Sequence, residues 1–116
     1  MDVYDVAKVC HEVNKAYCES IGDMSQKSWF GAPEFARVSA VNGVKFHIAN
    51  PKATPAESHI EWLREKISTG WVYGTEKDEI KKTHPCCVEY NLLPQYQRSK
   101  DYIFKQVVES LKGFVK

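Results

Sequence analysis

Apolar residues along this chain fall into four runs with a helical period, separated by short stretches rich in turn formers. In the first run Val3, Val6, Cys10, Val13, Tyr17 and Ile21 recur every three or four residues, with Lys8, Glu12, Lys15 and Glu19 on the opposite side. This predicts a helix over residues 3–21 that stops at Gly22-Asp23, with His11 off the stripe and in solvent. A connector over residues 25–32 carries Trp29 and Phe30, two rings that would pin it over the core. Pro33 suits the first turn of a second helix, because its missing N–H is not needed there. Phe35, Val38, Val41, Phe46, Ile48 and Ala49 supply that helix's stripe, Gly43 interrupts it, and Asn50-Pro51 must end it, since proline disfavours helical geometry in the residue before it.

The third run has the clearest start. Thr54 can cap, Pro55 takes the first helical position, and Glu57 stands where a capping box wants an acid. The helix is predicted to reach Ser68-Thr69, with Gly70 just beyond its end. At 100° per residue it has two stripes, Ile60–Leu63–Ile67 and His59–Trp62–Lys66, about a quarter-turn apart. The aliphatic stripe is expected to dock on the core, which leaves an imidazole, an indole and an ammonium in a column at its edge. Trp71-Val72-Tyr73 and Val88-Glu89-Tyr90 alternate as short extended pieces and are expected to pair as a ribbon. Between them, residues 76–82 read as a charged, exposed tip. His84 is held extended by Pro85. A last helix runs from near Pro94 to about Lys112, buried through Ile103, Phe104, Val107, Val108 and Leu111. The fold class is therefore mainly α: one small four-helix domain over residues 1–116 with a short two-stranded β ribbon.

Composition narrows the partners. A net charge of +1 over 116 residues argues against bulk capture of nucleic acid polymers or anionic membrane. No apolar run approaches the roughly 18 residues a membrane span needs, and the start Met-Asp-Val-Tyr-Asp has no secretory pattern, so a cytoplasmic setting is expected. In such a setting the four cysteines read as free thiols, with Cys10 packed as a small apolar residue. Adjacent Cys86 and Cys87 cannot form a zinc knuckle, and no metal or other cofactor is expected. A nucleophilic pair of Cys86 or Cys87 with His84 lacks an orienting third group, so the expectation is a non-enzymatic protein.

The stretch from His59 to Asp101 also carries a pattern of fixed positions. It holds His59-x-x-Trp62, Lys66, Gly70-Trp71-x-Tyr73-Gly74, Lys82-Thr83-His84-Pro85, Val88-x-Tyr90, Leu93 before a proline, and Arg98-x-Lys100-Asp101. In these residues the chain resembles the RyR domain, which occurs as tandem repeats in ryanodine receptors and as single copies in bacterial and phage proteins. The resemblance makes residues 54–116 the core motif and residues 1–53 an N-terminal helical extension like that of single-copy prokaryotic members. It implies a small helical module with no ion pathway. In tandem repeats an adenine nucleotide is held by stacking rings and basic residues, and the motif carries that role to Trp62 and Lys66. A second basic contribution is usual after the His-Pro pair, where this chain has Cys86-Cys87. A single copy could rebuild a two-repeat site as a homodimer with two His59–Trp62–Lys66 columns facing each other.

Two readings follow. In the first, the chain binds an adenine-type nucleotide or nucleotide-derived signal, with Trp62, Trp71 and Tyr73 stacking and His59, Lys66, His84 and Arg98 meeting ribose or phosphate. Lys100 and Lys105 are further candidates for anion contact. In the second, the same residues are fold determinants of a structural or protein-interaction domain with no small-molecule ligand. A cleft lined by the column favours the first; tight burial of Trp62 and Trp71 favours the second.

Overall fold

The computed structural model describes residues 1–116. Four helices, α1 (Val3–Ser20), α2 (Glu34–Ala49), α3 (Pro55–Ser68) and α4 (Gln95–Leu111), account for most of the chain, and two two-residue strands, β1 (Val72–Tyr73) and β2 (Thr83–His84), lie between α3 and α4. The mainly α, four-helix expectation holds, with boundaries within a residue or two of those read from the sequence. Local chemistry explains the starts. At α3, Thr54 Oγ1 accepts from the Glu57 N–H while the Glu57 carboxylate accepts from the Thr54 N–H. Asp2 and Asp5 make the same reciprocal pair at α1. At the far end of α3, Gly70 has φ +93°, the left-handed geometry that closes a helix and that glycine adopts without strain.

The packed core belongs to α1, α2 and α4. Val6, Ala7, Cys10, Trp29, Val41, Val44 and Val108 form one buried cluster, edged by Phe104, Val107 and Leu111. Gly43 sits where α2 crosses α4: a Cβ there would lie 2.8 Å from Cζ of Phe104, so the glycine that weakens the helical pattern is what lets the ring approach. The inward arc of α1 is rotated from the one expected. His11 and Cys18 are buried while Val13 and Ile21 are exposed. The 25–32 connector folds back over that side of α1, where His11 Nε2 donates to the Lys27 carbonyl (2.6 Å) and its ring meets Trp29 edge-on at 5.7 Å. His11 is thus a buried clamp on the connector, not a solvated side chain.

The third helix departs most from expectation. Its aliphatic stripe does not dock it: Ile60 and Ile67 are 49% and 61% exposed, whereas His59 and Lys66 are 3% and 6% exposed. The helix is turned so that the His59–Trp62–Lys66 column faces α2 and α4. It is held there by polar contacts. Glu65 accepts from Ser39 Oγ (2.5 Å) and Asn42 Nδ2 (2.8 Å) on α2, and His59 Nε2 donates to the Val88 carbonyl (2.7 Å).

The ribbon also has a different partner. β1 pairs with β2, not with residues 88–90, and the pairing is parallel, Val72 opposite Thr83 and Tyr73 opposite His84. The Val72 N–H donates to the Lys82 carbonyl and the Gly74 N–H to the His84 carbonyl. The charged tip turns back on itself through Asp78, which bridges Thr83 in the antiparallel sense, so the chain re-enters in the direction it left. Residues 90–92 instead form a single 3₁₀ turn leading into α4.

Because Gly43 meets an aromatic ring rather than open space, Gly43→Ala is expected to destabilise the protein by about 1–3 kcal/mol, although alanine is the better helix former. Urea unfolding of Gly43→Ala, with Phe104→Leu added to relieve the overlap, checks this; a stabilised single variant would contradict the packing.

Candidate functional site

Turning the polar face of α3 inward opens a cleft of about 790 Å³ between α3 and the α2–α4 pair, with the middle of α1 at its floor. That volume lies within the roughly 300–1,000 Å³ usual for small-molecule sites. Of the residues singled out in the sequence, the structure brings His59, Trp62, Lys66 and His84 into the wall. Trp71 is buried behind it, 4% exposed, its ring 5.3 Å from Phe35. Tyr73 is 56% exposed on the outer side of the ribbon and Arg98 is absent from the wall. On α4 the inward arc is Gln97, Lys100, Asp101 and Phe104; Arg98, about 100° round from Gln97, donates instead to Gln95 Oε1 one turn back. Of the other two basic candidates, Lys100 lines the cleft and Lys105 does not.

Lys66 is the electrostatic centre. Its ammonium lies 4.9 Å from the Phe35 ring centroid, 5.2 Å from Trp71 and 5.9 Å from Trp62. Three electron-rich faces partly replace the water it has lost. The protein's ion pairs, Lys15–Glu19, Arg64–Glu61 and Lys112–Glu109, all lie within single helices, and none supplies Lys66 with a carboxylate. Burial is the largest influence on this amine and lowers its proton affinity; Glu65 opposes that at longer range, and Lys77 adds to it. Lys66 therefore lies in the cleft wall with no salt-bridge partner.

The rings around it are ordered by one another. His59 stacks on Trp62 at 5.5 Å and 26°, and His84 meets Trp62 edge-on at 5.0 Å. His59 spends its Nε2 hydrogen on Val88, so it holds the 84–90 segment against α3 rather than offering a cation to phosphate, and burial keeps it below the ordinary histidine range. His84 Nδ1 accepts from the Cys86 N–H at 3.0 Å, which leaves the ring hydrogen on Nε2. Burial first, then the nearby Lys77 and Lys66, push its pKa down to about 3, so it is neutral. Cys86, whose thiol burial pushes up to about 11, is not a thiolate at neutral pH.

Sequence reading missed the opposite wall. Asp101 and Gln97 stand one helical turn apart on α4 and face the cleft; burial pushes Asp101 up to about 7, and Gln97 Oε1 is buried with no partner. The Arg98-x-Lys100-Asp101 motif named this turn of α4, but only the packing shows that its acid points inward. Phe35 was assigned to the α2 core stripe and instead faces Lys66.

These two shifts have opposite signs. His84, lowered from 6.5 to about 3, contributes stability that is present above pH 6.5 and lost as pH falls toward 3. Asp101, raised from 3.8 to about 7, contributes stability that is present below pH 3.8 and lost as pH rises through 7. Relative to the parent, Asp101→Asn is expected to gain stability as pH rises from about 4 to 8, and His84→Gln to gain as pH falls from about 6.5 to 4. Denaturant unfolding across that range checks both; pH profiles parallel to the parent's would refute the burial of these groups.

No helix is long and apolar enough to cross a membrane. The model of one protein family, described as the RyR domain, matches residues 47–116, from the end of α2 through α3, the ribbon and α4. The match takes in more than half of the chain and the walls of the cleft from α3, the 84–86 segment and α4, but not those from α1, the 25–32 connector or α2, and on it this protein belongs to the RyR domain family.

Proposed function

We propose that the protein is a non-enzymatic binding module for an anionic, ring-bearing small molecule of the adenine nucleotide or nucleotide-derived class, taken into the cleft between α3 and the α2–α4 pair. The observation that carries this reading is Lys66, a buried ammonium that faces the cleft within reach of three rings and has no carboxylate to neutralise it. A phosphate would supply the missing charge, and Trp62 in the cleft wall would stack the base. One copy contributes the whole cleft, so the reading does not need a homodimer. A cytoplasmic setting, in keeping with four free cysteines, is part of the same reading.

Thermal-shift and calorimetric titration against adenine mono-, di- and triphosphates, ADP-ribose and cyclic dinucleotides tests it. Binding is expected in the micromolar range. Trp62→Ala should lose the stacking contribution of about 1–3 kcal/mol, and Lys66→Met should lose binding of every phosphate-bearing ligand while remaining folded. A parent protein that shifts with none of these compounds would refute the proposal.

A protein-interaction role is favoured by a different observation: Ile60 and Ile67, with Leu63 between them, leave an aliphatic stripe on the outside of α3. On that reading a second copy covers the stripe, and the parent should sediment as a dimer that Ile60→Asp with Ile67→Asp converts to monomer. A monomeric parent at high micromolar concentration would remove it.

A further inference from the structure

The two walls of the cleft are chemically unlike. The α3 wall offers Lys66 and rings; the α4 wall offers, beside Lys100, the Gln97 amide oxygen and the Asp101 carboxyl. Gln97 Oε1 is buried without a partner. Asp101 has no ion pair, and no hydrogen bond stabilises its carboxylate; burial dominates its environment and only its chain neighbour Lys100 opposes this. Both side chains face the same space, four residues apart on one helix, which puts them about 6 Å apart at their Cβ atoms. A buried acceptor left unmade is costly, and Gln97 Oε1 with the Asp101 carboxyl one turn away calls for a ligand that donates there.

We propose that Gln97 and Asp101 form a donor-reading subsite for the exocyclic amine of the ligand's base, so that the ligand lies across the cleft with its anionic end at Lys66 and its amine edge against α4. This rests on the nucleotide reading of the cleft and adds the direction in which the ligand lies and the group that selects it. A planar amine carries two N–H donors in the plane of its ring and can engage both acceptors while the ring face packs on the aromatic side. Hydrogen-bond donors could also come from the ribose hydroxyls, so the test separates the two.

The measurement is calorimetric titration of the full chain with adenosine monophosphate, with purine riboside 5′-monophosphate, which lacks only the amine, and with 2′,3′-dideoxyadenosine monophosphate. The parent is expected to bind adenosine monophosphate about tenfold or more tighter than the amine-free analogue, the value of one well-made hydrogen bond to a charged or buried acceptor, and to bind the dideoxy analogue nearly unchanged. Gln97→Leu and Asp101→Leu should erase the preference for the amine without weakening the amine-free analogue. Gln97→Met and Asp101→Val serve if either leucine variant unfolds early. Equal binding of the amine-bearing and amine-free nucleotides by the parent, a preference that survives in the variants, or loss confined to the dideoxy analogue would overturn the subsite and leave the nucleotide reading standing. Failure of the parent to bind any of the three would overturn that reading, and the subsite with it.

Discussion

Burying an ammonium costs several kcal/mol unless something in the interior answers its charge, and in this protein the answer is aromatic. Lys66 lies among Phe35 of α2, Trp62 of its own helix and Trp71 of the segment that follows. Those three rings come from separate parts of the chain, so their convergence on one nitrogen fixes the rotation of α3 and the path of the chain after Gly70. Glu65, the residue before, is bound by Ser39 and Asn42 and sets the same rotation from the other side. With the helix turned this way, His59 reaches Val88 and draws the 84–90 segment over the cleft.

The consequence is a division of labour between helices. α1, α2 and α4 share an aliphatic core of ordinary kind, which gives the domain its stability. α3 contributes little to that core and is attached by directional contacts instead. Such contacts hold orientation well but leave space between side chains. A helix docked by its aliphatic stripe would have closed the space that the cleft occupies. The same choice leaves Ile60 and Ile67 outside, where they serve no packing purpose within one copy of the chain.

The cleft's titratable groups are tuned by burial more than by one another. His84 is kept neutral, Asp101 is poised near neutrality, and Cys86 stays protonated. The cleft thus sets Lys66 on one wall against the unpartnered Gln97 oxygen and the Asp101 carboxyl on the other.

Much of this architecture was legible in the sequence because it is local. Helix periodicity, the Thr54–Glu57 capping box and the positive φ at Gly70 depend on residues a few positions apart, and each appears where the pattern put it. The motif positions from His59 to Asp101 likewise identified the family, and with it the column His59–Trp62–Lys66. What one dimension could not decide was which stripe of α3 faces in. A hydrophobicity rule chooses Ile60, Leu63 and Ile67, because it assigns no benefit to an ammonium among rings or to a glutamate met by Ser39 and Asn42. Those benefits exist only once α2 and Trp71 are in place. The burial of His11, the partner of β1, the exclusion of Arg98 and the inward turn of Asp101 have the same origin. Each is decided by how the helices and connectors pack, which arrives only with the tertiary fold.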